Sequence, residues 1–289
     1  MYMVTASRDT VKYEFNVLVP APVLNSMSCE YTPAGESATI YGDYLLDDAN
    51  QPLEIVFSGD VPVTEITEIT KTAVTFVIPE GAEEGSISVT TVNGTSSSAF
   101  HYLDSRGFLF DFDEGGTGLS NNGWHNRVIL SDETSLTGKF VQLGDGSTPL
   151  PADGGWVDKY YSFEYWPGVY NEPLTYPEGQ NGMKLDDLVD FSDYENMTLK
   201  FELFIPSTNP WSAGAMQVIF AGTDKVTYSK EDIKDEDGNT VAGANNAYFN
   251  NNVLPRGIYR PWTETGSFHT DDRWITVSLP ISEFVYGKD

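Results

Sequence analysis

The chain has 289 residues, with 43 acidic side chains against 16 basic ones and a formal net charge of -27. That length suits two or three small domains, and that charge repels phosphate backbones and anionic lipid surfaces, which excludes nucleic acid and membrane-surface binding as primary roles. A single cysteine, Cys29, excludes an intrachain disulfide, and no apolar run reaches the length of a membrane span.

In chain order, Tyr13–Val19 alternates as a strand should, and Pro20-Ala21-Pro22 follows as a stiff extended joint. Residues 1–21 are therefore expected to be the end of a preceding Ig-like unit plus a linker, in a chain that is a piece of a longer protein. The stretch before Cys29 holds no apolar signal segment, so this residue reads as an ordinary buried thiol. Strands are predicted at Ser37–Gly42, Leu53–Phe57, Ala73–Ile78 and Ser86–Val92, with a last one at Ala99–Tyr102. β-Branched enrichment or period-two patterning marks the first four, and turn residues lie close to each.

All six tryptophans lie beyond residue 104, which places a boundary near Asp104-Ser105-Arg106. After it, Gly107–Asp113 reads as an opening strand carrying Asp111 and Asp113. Residues 160–166 read as an alternating strand, with Tyr161, Phe163 and Tyr165 on one face and Tyr160, Ser162, Glu164 and Trp166 on the other. Lys184–Phe191 is expected to form a short stretch of helix. Asp235–Asn239 is an acidic hairpin loop with glycine misplaced for a helix-loop-helix calcium site. Arg273–Ile281 holds the strongest strand, with Trp274 in the core. The fold class is all-β: tandem β-sandwiches, an Ig-like module over 22–103 followed by a larger sandwich over 104–289.

Two segments carry family resemblances. Residues 22–103 resemble the IPT/TIG family of Ig-like domains through Pro22-Val23-Leu24, Thr39–Leu45, Val77–Ala82 and Gly85–Gly94. That fold is more often a spacer than a catalyst. Residues 104–289 resemble the ligand-binding domain of surface glycan-binding proteins of starch-utilisation-system-like loci in Bacteroidota. The carrying segments are Gly107–Asp113, Tyr194–Glu202, Pro206–Gln217, Tyr259-Arg260-Pro261-Trp262 and Arg273–Ile281. The resemblance implies a non-catalytic outer-membrane lipoprotein facing the medium, anchored outside this chain. It implies capture of a plant β-glucan such as xyloglucan or mixed-linkage glucan. It also implies a partner outer-membrane transporter and surface glycosidases.

The residues support a sugar ligand without the family. A neutral pyranose has an apolar C–H face that a flat ring covers, which stabilises by roughly 1–3 kcal/mol per ring. Six candidates follow: Trp166 at the Pro167-Gly168 turn with its neighbour Tyr165, Trp156 after Gly154-Gly155, Trp124 in a polar loop beside His125, Trp211 after Pro210, and Trp262 after Pro261. For Trp211 and Trp262 the alternative is an indole folded back over a sandwich edge. No metal site or cofactor is expected, because His101, His125 and His269 are far apart and in no ligand spacing. Two other readings stay open at this point: an Ig-like adhesive stalk binding a protein, and a glycoside hydrolase. No carboxylate pair is singled out for the latter.

Overall fold

The structure, a computed structural model, describes residues 2–4, 10–12, 18–110, 112–113, 128–150, 158–163, 188–220 and 256–284. The chain divides into two compact units, Met1–Ser28 with Ala34–Asp104, and Cys29–Pro33 with Ser105–Asp289.

In the first unit, β1 (Tyr2–Val4) and β2 (Thr10–Lys12) form an antiparallel pair. Eight strands follow: β3 (Val23–Met27), β4 (Ser37–Asp43), β5 (Glu54–Ser58), β6 (Val61–Pro62), β7 (Ile66–Ile69), β8 (Ala73–Val77), β9 (Glu83–Thr91) and β10 (Gly94–Tyr102). They form two four-stranded antiparallel sheets, ordered β3-β4-β8-β7 and β10-β9-β5-β6. Alternation puts one side of each strand inward: Ala38 and Ile40 from β4, Val74 and Phe76 from β8, Ile55 and Phe57 from β5, Ile87 and Val89 from β9. Phe57 meets Phe76 and Tyr102 edge-on, at centroid distances of 6.0 and 5.0 Å. Each such buried side chain contributes roughly 1.5–3 kcal/mol, which is what holds the two sheets face to face. Gly42 is required where the β3–β4 register shifts, because a Cβ there would run into the Val23 carbonyl oxygen.

The second unit contains β11 (Val128–Leu130), β12 (Phe140–Gln142), β13 (Thr198–Leu203), β14 (Met216–Ile219), β15 (Arg256–Tyr259) and β16 (Ile275–Pro280). They pair antiparallel as β11–β12, β13–β16 and β14–β15. β16 runs into a 3-10 turn, Ile281–Glu283, whose Ile281 N–H donates to the Met197 carbonyl at 2.9 Å. That turn delivers Phe284, 1% exposed, onto Phe220 at 5.6 Å. Gly257 is the floor beneath it, since a Cβ there would lie 2.6 Å from the ring. The protein is nearly all β.

The structure revises several local expectations. Strand pairing near the start lies at Tyr2–Val4 and Thr10–Lys12; Leu18 and Val19 are outside strands, and 13–17 fall outside the described residues. Phe112 and Asp113 are not in a strand, and the Asp113 carboxylate accepts the Lys139 N–H at 2.7 Å instead. Asp111 lies outside the described residues. Val189 and Asp190 are not helical. A 3-10 stretch, Phe191–Asn196, begins only after Asp190, whose carboxylate caps the Ser192 N–H at 2.9 Å. Asp158–Tyr161 is a single α-helical turn, α1, so the strand expected at 160–166 does not start there, and Ser162 and Phe163 are not in a strand either. Glu164, Tyr165 and Trp166, the rest of that expected strand, lie outside the described residues.

Candidate functional site

Two of the predicted tryptophans come together at one turn. Trp211 follows the Asn209-Pro210 corner and forms an isolated bridge with Phe268, its N–H and C=O each bonded at 2.8 Å. Its indole Nε1–H donates to the Ala213 carbonyl at 2.7 Å. Trp262 sits in a 3-10 turn, Pro261–Thr263, directly after β15, and its Nε1–H donates to the Gly214 carbonyl at 2.8 Å. Residues 51 positions apart thus place their indole edges on consecutive carbonyls. Gly214 is buried with φ 71°, a left-handed backbone that suits glycine and lets the turn offer both carbonyls.

Tyr259 joins this group because β15 pairs it with Met216 at the start of β14. Its ring lies 5.9 Å from Trp211 and 6.4 Å from Phe201 on β13. Burial raises the Tyr259 phenol above its ordinary value, so it stays a neutral donor. All four rings are half-buried. With both indole N–H groups already bonded, what Trp211 and Trp262 offer a ligand is ring surface, and the Tyr259 hydroxyl is the polar element beside it. Neither Tyr259 nor Phe201 stands out in the sequence as a site residue. Tyr259 is placed by the β14–β15 pairing and Phe201 by the β13–β16 ladder, neither of which sequence periodicity contains.

Trp124, Trp156, Tyr165 and Trp166 lie outside the described residues, as does His125. Trp274 is half-buried, wedged between Phe140 and Phe204, each at a centroid distance of 5.6 Å, and its Nε1–H donates to the Thr134 carbonyl at 2.6 Å. It pins the 131–139 loop. Tyr161 on α1 likewise donates its hydroxyl to the Thr148 carbonyl at 2.5 Å.

Charges elsewhere in the second unit serve local structure. Both Glu30 carboxylate oxygens accept from Lys200 Nζ at 2.8 Å, and the Glu30 N–H donates to Thr276 Oγ1. Thr276 Oγ1 also donates to Glu202 Oε1 at 3.2 Å. Burial, and then the charge of Glu30, push the Glu202 carboxyl above its ordinary value despite the Thr276 bond and Lys200. Cys29 is buried and its thiol is pushed up to about 11, mainly by desolvation. Asp145 is held well below the usual carboxylate range by the N–H groups of Thr148 and Ser147 in its own turn. Among the described residues no three His, Cys, Asp or Glu side chains gather as a metal site, and no helix is long and apolar enough to cross a membrane.

Comparison with known proteins now bears on this arrangement. Residues 102–289 match the family described as the surface glycan-binding protein B xyloglucan binding domain, and residues 22–102 match the IPT/TIG domain. The surface glycan-binding protein PbSGBP-B from Prevotella bryantii is 42% identical at a TM-score of 0.78. That alignment covers 98% of this chain and 68% of the other. SGBP-B from a complex xyloglucan utilization locus in Bacteroides uniformis is 14% identical at a TM-score of 0.42, covering 99% of this chain and 73% of the other. A crystal structure with xylogluco-oligosaccharide is 15% identical at 0.44, covering 98% and 53%. The last two alignments are too loose to add to the assignment. No curated protein matches. The family match spans well over half of the chain and the Prevotella protein exceeds 40% identity along nearly all of it. The chain therefore belongs to the family of the surface glycan-binding protein B xyloglucan binding domain, and it is a non-catalytic surface glycan-binding protein with an IPT/TIG module.

Proposed function

We propose that this protein captures a xyloglucan-type β-glucan by stacking its sugar rings on aromatic side chains of residues 104–289, while residues 22–103 act as a spacer. The match of residues 102–289 to a xyloglucan-binding domain is the observation that carries this reading. The convergence of Trp211, Tyr259 and Trp262 around the Ala213-Gly214 turn agrees with it. Trp124, Trp156, Tyr165 and Trp166 complete the proposed set of platforms. The captured polymer passes to an outer-membrane transporter and to surface glycosidases, and a lipid anchor outside this chain holds the protein on the outer face of the outer membrane. An extended aromatic site suits a passive binder, because stacking stabilises a glycan chain without acting on its glycosidic oxygens.

The test is electrophoresis through gels containing xyloglucan, mixed-linkage glucan, mannan or starch, followed by calorimetry with oligosaccharides. Xyloglucan should retard the protein most, with affinity in the micromolar to millimolar range. Trp166→Ala and Trp262→Ala should each weaken binding about tenfold, the loss of one apolar platform. Melting curves distinguish lost contact from lost fold. Equal migration in xyloglucan and in a blank gel would sink the substrate assignment, and full binding by both variants would sink the platforms.

A further inference from the structure

We propose that residues 29–33 brace the β13–β16 ladder on the side away from Phe201, and that Glu30 is thereby a positioning residue for the aromatic site. These five residues fold with the second unit, although the chain up to Ser28 and from Ala34 onward folds with the first. They lie within the stretch 22–102 that matches the IPT/TIG domain, so their role in the glycan-binding unit goes beyond that of a spacer.

The ladder has two unlike sides. Its register sets Lys200 opposite Ser278, Phe201 opposite Val277 and Glu202 opposite Thr276. Alternation then gathers Leu199, Phe201, Leu203, Ile275, Val277 and Leu279 on one side, and Lys200, Glu202, Thr276 and Ser278 on the other. A polar strand face of this kind ordinarily meets water. Here it meets the segment of Cys29, Glu30 and Thr32, which are 3%, 3% and 7% exposed. Both Glu30 carboxylate oxygens accept from Lys200 Nζ at 2.8 Å, and the Glu30 N–H donates to Thr276 Oγ1 at 2.8 Å. The Thr276 hydroxyl donates onward to Glu202. The segment is therefore bonded to both strands of the ladder.

The segment is also preformed. The Thr32 N–H and hydroxyl both donate to the Cys29 carbonyl, at 3.4 and 2.9 Å. Just outside it, the Ser28 N–H donates to the Thr39 carbonyl at 2.8 Å and the Gly35 N–H to the Ile78 carbonyl at 2.9 Å. Little chain entropy is left to lose when such a segment seats. Its ion pair differs from a solvated one, because breaking a buried pair costs far more than losing a surface contact. Phe201, between Lys200 and Glu202, carries the effect to the site. Its ring stands edge-on to Tyr259 at 6.4 Å, and Tyr259 lies 5.9 Å from Trp211. Rings that must match a flat sugar face are held in place by what packs behind them.

The affinity part of the test rests on the reading that residues 104–289 hold a neutral glycan; the unfolding part does not. All six tryptophans lie beyond residue 104, so tryptophan fluorescence of the full chain reports unfolding of that region. Glu30→Gln, Lys200→Met, the double variant, Lys200→Arg and a control, Glu68→Gln at an exposed position on β7, are compared in urea and by calorimetry with a xylogluco-oligosaccharide. Glu30→Gln should lower the fluorescence midpoint by about 0.5–1 M urea. Where circular dichroism shows it folded, it should bind the oligosaccharide about threefold to tenfold more weakly. Lys200→Arg, which keeps the pair, should retain most of both properties. The double variant should lose less than the two single losses combined, and the control should lose nothing. An unchanged midpoint and affinity in Glu30→Gln overturn the brace. A lowered midpoint with wild-type affinity marks a merely structural contact and overturns the positioning role. If the wild type itself binds no glycan, the reading of the site falls instead, and the midpoint alone decides whether residues 29–33 hold the ladder.

Discussion

At the scale of single residues, Trp211, Trp262 and Trp274 each donate the indole N–H to a backbone carbonyl, and Trp274 differs in being wedged between two aromatic rings. Trp274 uses its indole to fasten the 131–139 loop through the Thr134 carbonyl and fills the space between Phe140 and Phe204. Trp274→Ala should therefore cost about 3 kcal/mol of stability, whereas Trp274→Phe, which keeps most of the packing, should cost about 1 kcal/mol. Urea unfolding measures both, and equal stability of the alanine variant would remove Trp274 from the core. Cys29 makes a sharper case. Buried and with its thiol raised to about 11, it should resist iodoacetamide at pH 8 in the native protein and react promptly in urea, because the thiolate is the nucleophile. Rapid labelling of the native chain would show that the thiol is open to solvent.

At the scale of elements, the β13–β16 ladder carries an electrostatic cost. Glu202 on β13 has its carboxyl raised above the ordinary 4.5, chiefly by burial. A carboxyl raised by folding binds its proton more tightly in the native state than in the unfolded one. Its contribution to stability is therefore least unfavourable below 4.5 and worsens as pH rises through the folded value. Glu202→Gln, which retains an oxygen for the Thr276 hydroxyl, should gain on the wild type as pH increases from 4.5 to 7. Chemical denaturation across that range reads the difference directly. A constant gap between the two proteins would mean that Glu202 titrates as it does unfolded. Element-scale logic also explains where strand patterning succeeded. β4, β5, β8 and β9 alternate cleanly because each has one face on the core of the first unit and one face in water. Tyr160 and Tyr161 lie instead in a single helical turn, since two adjacent aromatic residues fit a helix as readily as a strand.

At the scale of the whole molecule, the net charge of -27 acts on ligand choice. Binding of a neutral β-glucan should change less than about twofold between low and moderate salt, having no ion pairs to screen. A carboxylated form of the same polymer should bind more weakly at low ionic strength and recover as salt shortens the Debye length from about 30 Å at 0.01 M to about 10 Å at 0.1 M. Affinity electrophoresis at both ionic strengths compares them, and tighter binding of the carboxylated polymer at low salt would contradict the charge argument. Composition and pattern along the chain were enough for the all-β class and the family resemblance, because burial of one strand face and the chemistry of turns are local and leave a period in the sequence. Pairing is not local. That Trp211 and Trp262 rest on neighbouring carbonyls and that Tyr259 lies beside Trp211 depend on which segment lies next to which. Register between distant segments is set by packing of the folded core and leaves no period in the sequence.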